Sequence, residues 1–326
     1  PIPMTINDIA FAMAIDSGAA MPPVACQAYC GFYLTGPLIA AQPWMGNLTS
    51  HHRRCADELL GVATSIATAQ SKGYVFIASK MAMNATLPPN LKIWTKPWVG
   101  DGPDYVMDDG VGGISFLEIK GRASDCQKAP SGFAFNKAQS LNANLMNLQV
   151  RYLLSYAYFP ANGVGAAFVS ATVQWFNAAA PKQKIRKEKE DRKLRIFLQL
   201  TIAYCQFQTQ MRNAGYNLNI LETRASAKDF GFFEKEFCWV ENENVGGLRL
   251  VIPNQTRACF LEIQKLLMSV RQEDDVGFIK DLKLAPILKR LNALRNDVRD
   301  KVNKVSFDAE ILHRYTTGIY IIGNRH

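Results

Sequence analysis

Residues 102–122 read GPDYVMDDGVGGISFLEIKGR. Two β-rich runs, at 105–107 and 114–120, flank Asp108, Asp109, Gly110, Val111, Gly112 and Gly113. Asp-Gly and Gly-Gly favour tight turns, so the spacing predicts a hairpin in which Asp108 and Asp109 are turn formers. Alternate strand residues share a face. Glu118 and Lys120 therefore emerge together, and Leu117 and Ile119 point the other way, into a core. A carboxylate and an ammonium on so apolar a strand are costly to bury without a partner or a task. The same hairpin brings Asp104 alongside Glu118. Two adjacent carboxylates repel each other, and a bound divalent cation removes that repulsion.

Outward from the hairpin, apolar residues Leu59, Val62, Ile66 and Ala69 recur at helical spacing and predict a helix over 52–71. Residues 74–78 (YVFIA) and 91–95 (LKIWT) read as strands. A second long helix is expected over about 136–159, and a buried strand within 163–176. The order helix, strands, helix, strand predicts an α/β fold, with a mixed central sheet flanked by helices. Beyond 180 the texture becomes basic and mostly helical. Helices are expected over 196–211, 256–271 and 283–304, and strands over 247–252 and 316–322. This divides the chain into an N-terminal extension packed on the core (1–50), a core (51–178) and a basic C-terminal region (179–326).

The pair Pro103-Asp104 followed by Glu118-Ile119-Lys120 resembles the PD-(D/E)XK motif of the restriction-endonuclease-like nuclease superfamily. The resemblance covers roughly residues 52–176 and includes the order of elements. It implies that Asp104 and Glu118 ligate Mg²⁺ or Mn²⁺, with the Ile119 carbonyl completing the coordination. It implies that Lys120 positions or helps activate the attacking water. Glu58, on the first helix, matches the place of an extra acidic ligand, and Gln139, at the start of the second, that of a residue reaching the site. Lys137 competes with Gln139, because residues two apart on a helix do not face the same way. A lone [D/E]-x-K carries little information; Asp191-Arg192-Lys193 and Asp281-Leu282-Lys283 also fit it but lie in charged segments without a preceding Pro-Asp. Context gives the 104/118/120 set its weight.

The formal net charge of the 326 residues is +9. Residues 1–180 hold 11 Lys/Arg against 10 Asp/Glu, and residues 181–326 hold 26 against 18. A basic half beside a near-neutral half suits a polyanionic partner. Arg122, Lys137, Lys182, Lys184, Arg186 and Lys187 are the candidate nucleic-acid contacts. The run over 182–195 also contains Glu188, Glu190 and Asp191, which supports a solvated helix start with i,i+4 pairs as the competing reading. Seven scattered cysteines imply no disulfide framework and suit a reducing, cytoplasmic setting. Cys26 and Cys30 lack a second Cys/His pair at zinc spacing and read as buried thiols. Residues 17–50 carry no charge, but prolines and glycines interrupt them, so no membrane span is expected, and no signal peptide.

These readings lead to a divalent-metal-dependent endonuclease acting on DNA in restriction, phage defence or mobile-element biology, with a second copy or another protein as a further partner. The alternatives are a catalytically silent nucleic-acid or protein-binding module on the same fold, and a nuclease toxin with a cognate inhibitor.

Overall fold

The structure is a computed structural model that describes residues 4–16, 23–35, 39–91, 103–108, 113–122, 151–159, 172–178, 188–213, 237–241, 248–272, 279, 282–300, 310–314, 317 and 319–323. The chain is α/β. The N-terminal part contains helices α1 (Ile6–Asp16) and α2 (Pro23–Tyr33) and a two-stranded ribbon, β1 (Leu34–Thr35) with β2 (Ala40–Ala41). Helix α3 follows at Ser50–Ser71.

The start of α3 is set by Thr49, whose hydroxyl accepts from the His52 N–H at 3.4 Å. Its end is a Schellman turn. The Tyr74 N–H returns to the Ala69 carbonyl at 3.1 Å, and the Gly73 N–H to the Gln70 carbonyl at 3.0 Å. Gly73 sits at φ +96°, where a side chain would be strained. Between these caps, Ala56, Leu60, Ala63, Ile66, Ala67 and Ala69 are buried. Their small size lets α3 approach the sheet closely, and Ser155 donates to Ser65 at 2.7 Å across the contact.

The central sheet has five strands in chain order: β3 (Phe76–Ser79), β4 (Tyr105–Asp108), β5 (Ile114–Arg122), β6 (Arg151–Tyr158) and β7 (Thr172–Ala178). Neighbours are antiparallel except β5 and β6, which run parallel, so the sheet is mixed. The expected hairpin is present as β4–β5. One expectation is corrected. Residues 151–158, read as the end of a helix, form strand β6. RYLLSYAY has apolar and aromatic residues throughout, and a place between β5 and β7 satisfies its backbone on both edges, which outweighs local helix preference. Residues 1–50, expected as an extension packed on the core, contain α1 and α2, which pack with α3. The expected strand at 91–95 begins in a 3-10 turn at Pro89–Leu91, and its remainder lies outside the described residues.

The alternation along β4 and β5 sorts side chains into two cores. Tyr105, Met107, Leu117 and Ile119 face α1, α2 and α3. Val106, Ile114 and Phe116 face the other way, onto α4 (Lys80–Thr86), α5 (Glu188–Asn213), α6 (Asn254–Gln272) and α7 (Leu284–Asp300). That second core also takes Leu250 and Ile252 from the antiparallel sheet β10 (Glu310–Arg314), β11 (Tyr320–Gly323), β9 (Leu248–Pro253), β8 (Phe237–Glu241). Phe207 of α5 and Phe260 of α6 stack at 4.1 Å within it. One hydrophobic core therefore crosses the boundary placed at 178. The C-terminal helices are a layer of the fold rather than an appended region.

A buried ion pair fastens that layer to the sheet. Asp108 is fully buried at the end of β4, and Arg295 of α7 donates to its Oδ2. Gln199 of α5 donates to Oδ1 at 3.1 Å. The Arg295 guanidinium also lies 5.1 Å from the centre of the Phe76 ring. Asp108 is thus a strand residue with a cationic partner, not a turn former. Removing one partner from such a pair strands a buried charge. Arg295→Met is expected to lower the unfolding free energy by about 3–5 kcal/mol in urea titrations. Combining it with Asp108→Asn should restore much of that loss.

Candidate metal-binding carboxylate pair

The register of β4 and β5 pairs Tyr105 with Leu117 and Val106 with Phe116. One step further along the same register sets Asp104 opposite Glu118. The Lys80 N–H donates to the Asp104 carbonyl at 2.9 Å, and the Val75 N–H to the Asp108 carbonyl at 3.1 Å. Even-numbered residues of this strand therefore turn their backbone groups toward β3. Asp104 lies one residue before β4, and Glu118 one residue beyond the last position of β5 that pairs with β4.

The Asp104 carboxylate folds over the strand end and accepts the Ile119 N–H at 2.9 Å through Oδ2. Asp104 is half-buried, whereas Glu118 is 1% exposed. Within a strand, the N–H and C=O of one residue project to the same edge. The Ile119 carbonyl therefore also projects toward the Asp104 edge. Asp104 and Glu118 both carry carboxylates, which are hard-oxygen groups. Mg²⁺ or Mn²⁺ fits such a set, since these ions bind through few carboxylates and keep several waters.

Lys120 and Arg122 have backbone places in β5, opposite Tyr156 and Tyr158; their side chains lie outside the described residues. So do Gln139, Lys137, Lys182, Lys184, Arg186 and Lys187, along with Asp109. Among the described residues no three His, Cys, Asp or Glu side chains converge on one point.

Glu58 is a correction. It is exposed on α3, and α3 packs on the sheet face of Leu117 and Ile119, opposite to Glu118. The acid that α3 turns inward is its neighbour, Asp57, 1% exposed. Arg53 donates to Asp57 Oδ2 at 2.7 Å and also to the Phe159 carbonyl just beyond β6. Asp57 Oδ1 has no hydrogen-bond partner among the described residues. Helical period, not composition, separates the two acids: 57, 60, 64 and 67 form a buried stripe, and 58 lies off it.

Burial raises the Asp57 pKa above its ordinary value of 3.8, although Arg53 pulls it down. The folded chain thus holds this proton more tightly than the unfolded chain. The contribution to stability is fully present below the unfolded value and is lost as pH rises through the folded one. The thermal midpoint of the wild type relative to Asp57→Asn is therefore expected to fall as pH rises from about 4 toward neutrality. Parallel melting curves for the two proteins across that range would contradict the assignment.

The thiols are not part of this centre. Cys26, Cys30, Cys205 and Cys259 are buried thiols outside any disulfide, and burial pushes Cys30, Cys205 and Cys259 up to about 12. No helix among the described residues is long and apolar enough to cross a membrane. Compared with models of protein families, with curated proteins and with solved structures, the chain matches none.

Proposed function

We propose that the protein is a divalent-metal-dependent endonuclease that hydrolyses phosphodiester bonds in DNA, on a restriction-endonuclease-like core. The observation that carries this reading is the β4–β5 hairpin, at whose end the Asp104 carboxylate accepts the N–H of Ile119, the residue after Glu118. The mixed sheet, with its antiparallel β4–β5 hairpin and parallel β5–β6 step, supports it.

Asp104, Glu118 and the Ile119 carbonyl would hold the cation. A bound Mg²⁺ or Mn²⁺ supplies charge neutralisation at the phosphate and a more acidic water. The protein's own contribution is positional. The Ile119 N–H fixes one oxygen of Asp104. The buried position of Glu118 strengthens its attraction for a cation, because fewer waters compete. Lys120, two residues on in β5, supplies an ammonium to orient the attacking water and offset charge growing on the phosphate. Restriction, phage defence and mobile-element roles all use this chemistry.

Incubation with supercoiled plasmid and Mg²⁺ or Mn²⁺ is expected to give nicked and linear DNA. EDTA, Glu118→Ala and Lys120→Ala should each abolish it, a loss of at least about a hundredfold for removal of a principal electrostatic stabiliser. Cleavage that persists in Glu118→Ala would overturn the assignment. Tight DNA binding with no cleavage under any metal would establish the catalytically silent module instead.

A further inference from the structure

We infer that the aromatic cluster of Tyr29, Phe32, Tyr33 and Trp44, beside the cationic start of α3, is a stacking platform for a single-stranded stretch of the substrate; the substrate role rests on the nuclease reading above. Tyr29 and Tyr33 stand one turn apart on α2, with ring centres 4.6 Å apart. Phe32 lies 5.1 Å from Tyr33 and 4.6 Å from Trp44, and Trp44 lies 5.4 Å from Tyr33. Trp44 belongs to the 3-10 turn Pro43–Asn47, which leads into α3. Gln42 fastens that turn to the end of α2. Its N–H donates to the Tyr33 carbonyl at 2.8 Å, and its side-chain amide to the Leu34 carbonyl at 3.3 Å.

The inner side of the cluster is packed. Tyr29, Tyr33 and Trp44 are half-buried against the core of α1–α3. The outer side is open, and Phe32 is 60% exposed. An aromatic ring left in water forgoes the free energy of burial, and a contiguous exposed apolar patch marks an interaction site.

Charge selects the occupant. No Asp or Glu occurs from residue 17 through residue 56, and α3 opens with His51, His52, Arg53 and Arg54. Arg53 is committed to Asp57 and to the Phe159 carbonyl, whereas His51, His52 and Arg54 are exposed. The Tyr29 phenol lies within electrostatic range of Cys55, whose sulfur is 3.9 Å from His51 Nε2, so the rings adjoin this cationic turn. The first exposed acid on α3, Glu58, stands one turn beyond Arg54. Ring faces without neighbouring carboxylates, edged by a guanidinium, suit a polynucleotide. Bases stack on the rings whatever their sequence, and phosphate oxygens accept from the guanidinium. A single strand fits better than a duplex, whose base faces are already stacked on each other.

The position also suits a substrate. The Arg53 bond to the Phe159 carbonyl sets the start of α3 beside the C-terminal end of β6, which runs parallel to β5. Asp104 accepts the Ile119 N–H toward that same end. The far end of α3 lies instead beside Asp108, whose carbonyl accepts the Val75 N–H. Platform and carboxylates therefore stand toward one end of the sheet.

The test uses the full-length protein with two fluorescein-labelled strands of equal length, oligothymidylate and an abasic deoxyribose phosphate chain. Ca²⁺ replaces Mg²⁺, and binding is read by anisotropy over a salt series. Phe32→Ala is expected to weaken oligothymidylate binding about tenfold and to leave the abasic strand unaffected. Phe32→Tyr should bind as the wild type does. Arg54→Ala should weaken both strands and flatten the slope of log affinity against log salt by about 0.7. Circular dichroism and melting curves serve as folding controls. Unaltered oligothymidylate binding by folded Phe32→Ala overturns the inference, as does an equal loss on the abasic strand. Self-association that Phe32→Ala abolishes, with oligothymidylate binding intact, overturns it in favour of a second copy on this face. Plasmid cleavage by Glu118→Ala, assayed in parallel, separates the two levels. Cleavage surviving there removes the nuclease reading, and the substrate role of the platform with it. Cleavage lost there beside unaltered strand binding by Phe32→Ala removes only the platform.

Discussion

The pairing register of β4 with β5 is the constraint on which the rest depends. A slip of one residue would exchange every side chain between the two faces, moving Asp104 and Glu118 apart and burying Leu117 among the wrong helices. Both faces of the hairpin are packed, which penalises any slip twice. Val106 and Phe116 are committed to the α4–α7 layer, and Tyr105, Met107, Leu117 and Ile119 to α1–α3. Beyond the last backbone pair, the Asp104 carboxylate on the Ile119 amide acts as one more rung. The site is thus an extension of the hairpin's own geometry, not a separate loop laid over it.

The same strand carries two acids with different fates. Asp104 and Asp108 lie on one face, four residues apart. Asp108 meets a guanidinium from α7 and an amide from α5 and becomes a fastening between sheet and helices. Asp104 stands at the other end, opposite a second carboxylate. An acid balanced by a buried cation is structural. Asp104, at the other end, accepts a backbone amide of β5 instead. Chain position does not distinguish them; what each meets on folding does.

Much of the hairpin was legible because its signals are local. Asp-Gly and Gly-Gly mark the turn region, and alternation along 114–120 assigns the faces. The opposition of 104 to 118 followed from the same pattern. Elsewhere local signals misled. Residues 151–158 have helix-compatible composition, but a position between two strands makes them β6. Glu58 matched a family habit by sequence position, yet the stripe that buries Asp57 turns Glu58 outward. Asp108 reads as a turn residue because its partner, Arg295, lies 187 residues away.

By itself, the sequence determined the α/β class and the β4–β5 hairpin, since turn chemistry and two-residue alternation act between near neighbours. Only the tertiary structure decided that the basic C-terminal helices share one core with the sheet, that Asp108 is neutralised by Arg295, and that Asp57 rather than Glu58 turns inward. Those are contacts between segments far apart in the chain, and their energy comes from burial and pairing realised only when the layers close on each other. No local pattern encodes them.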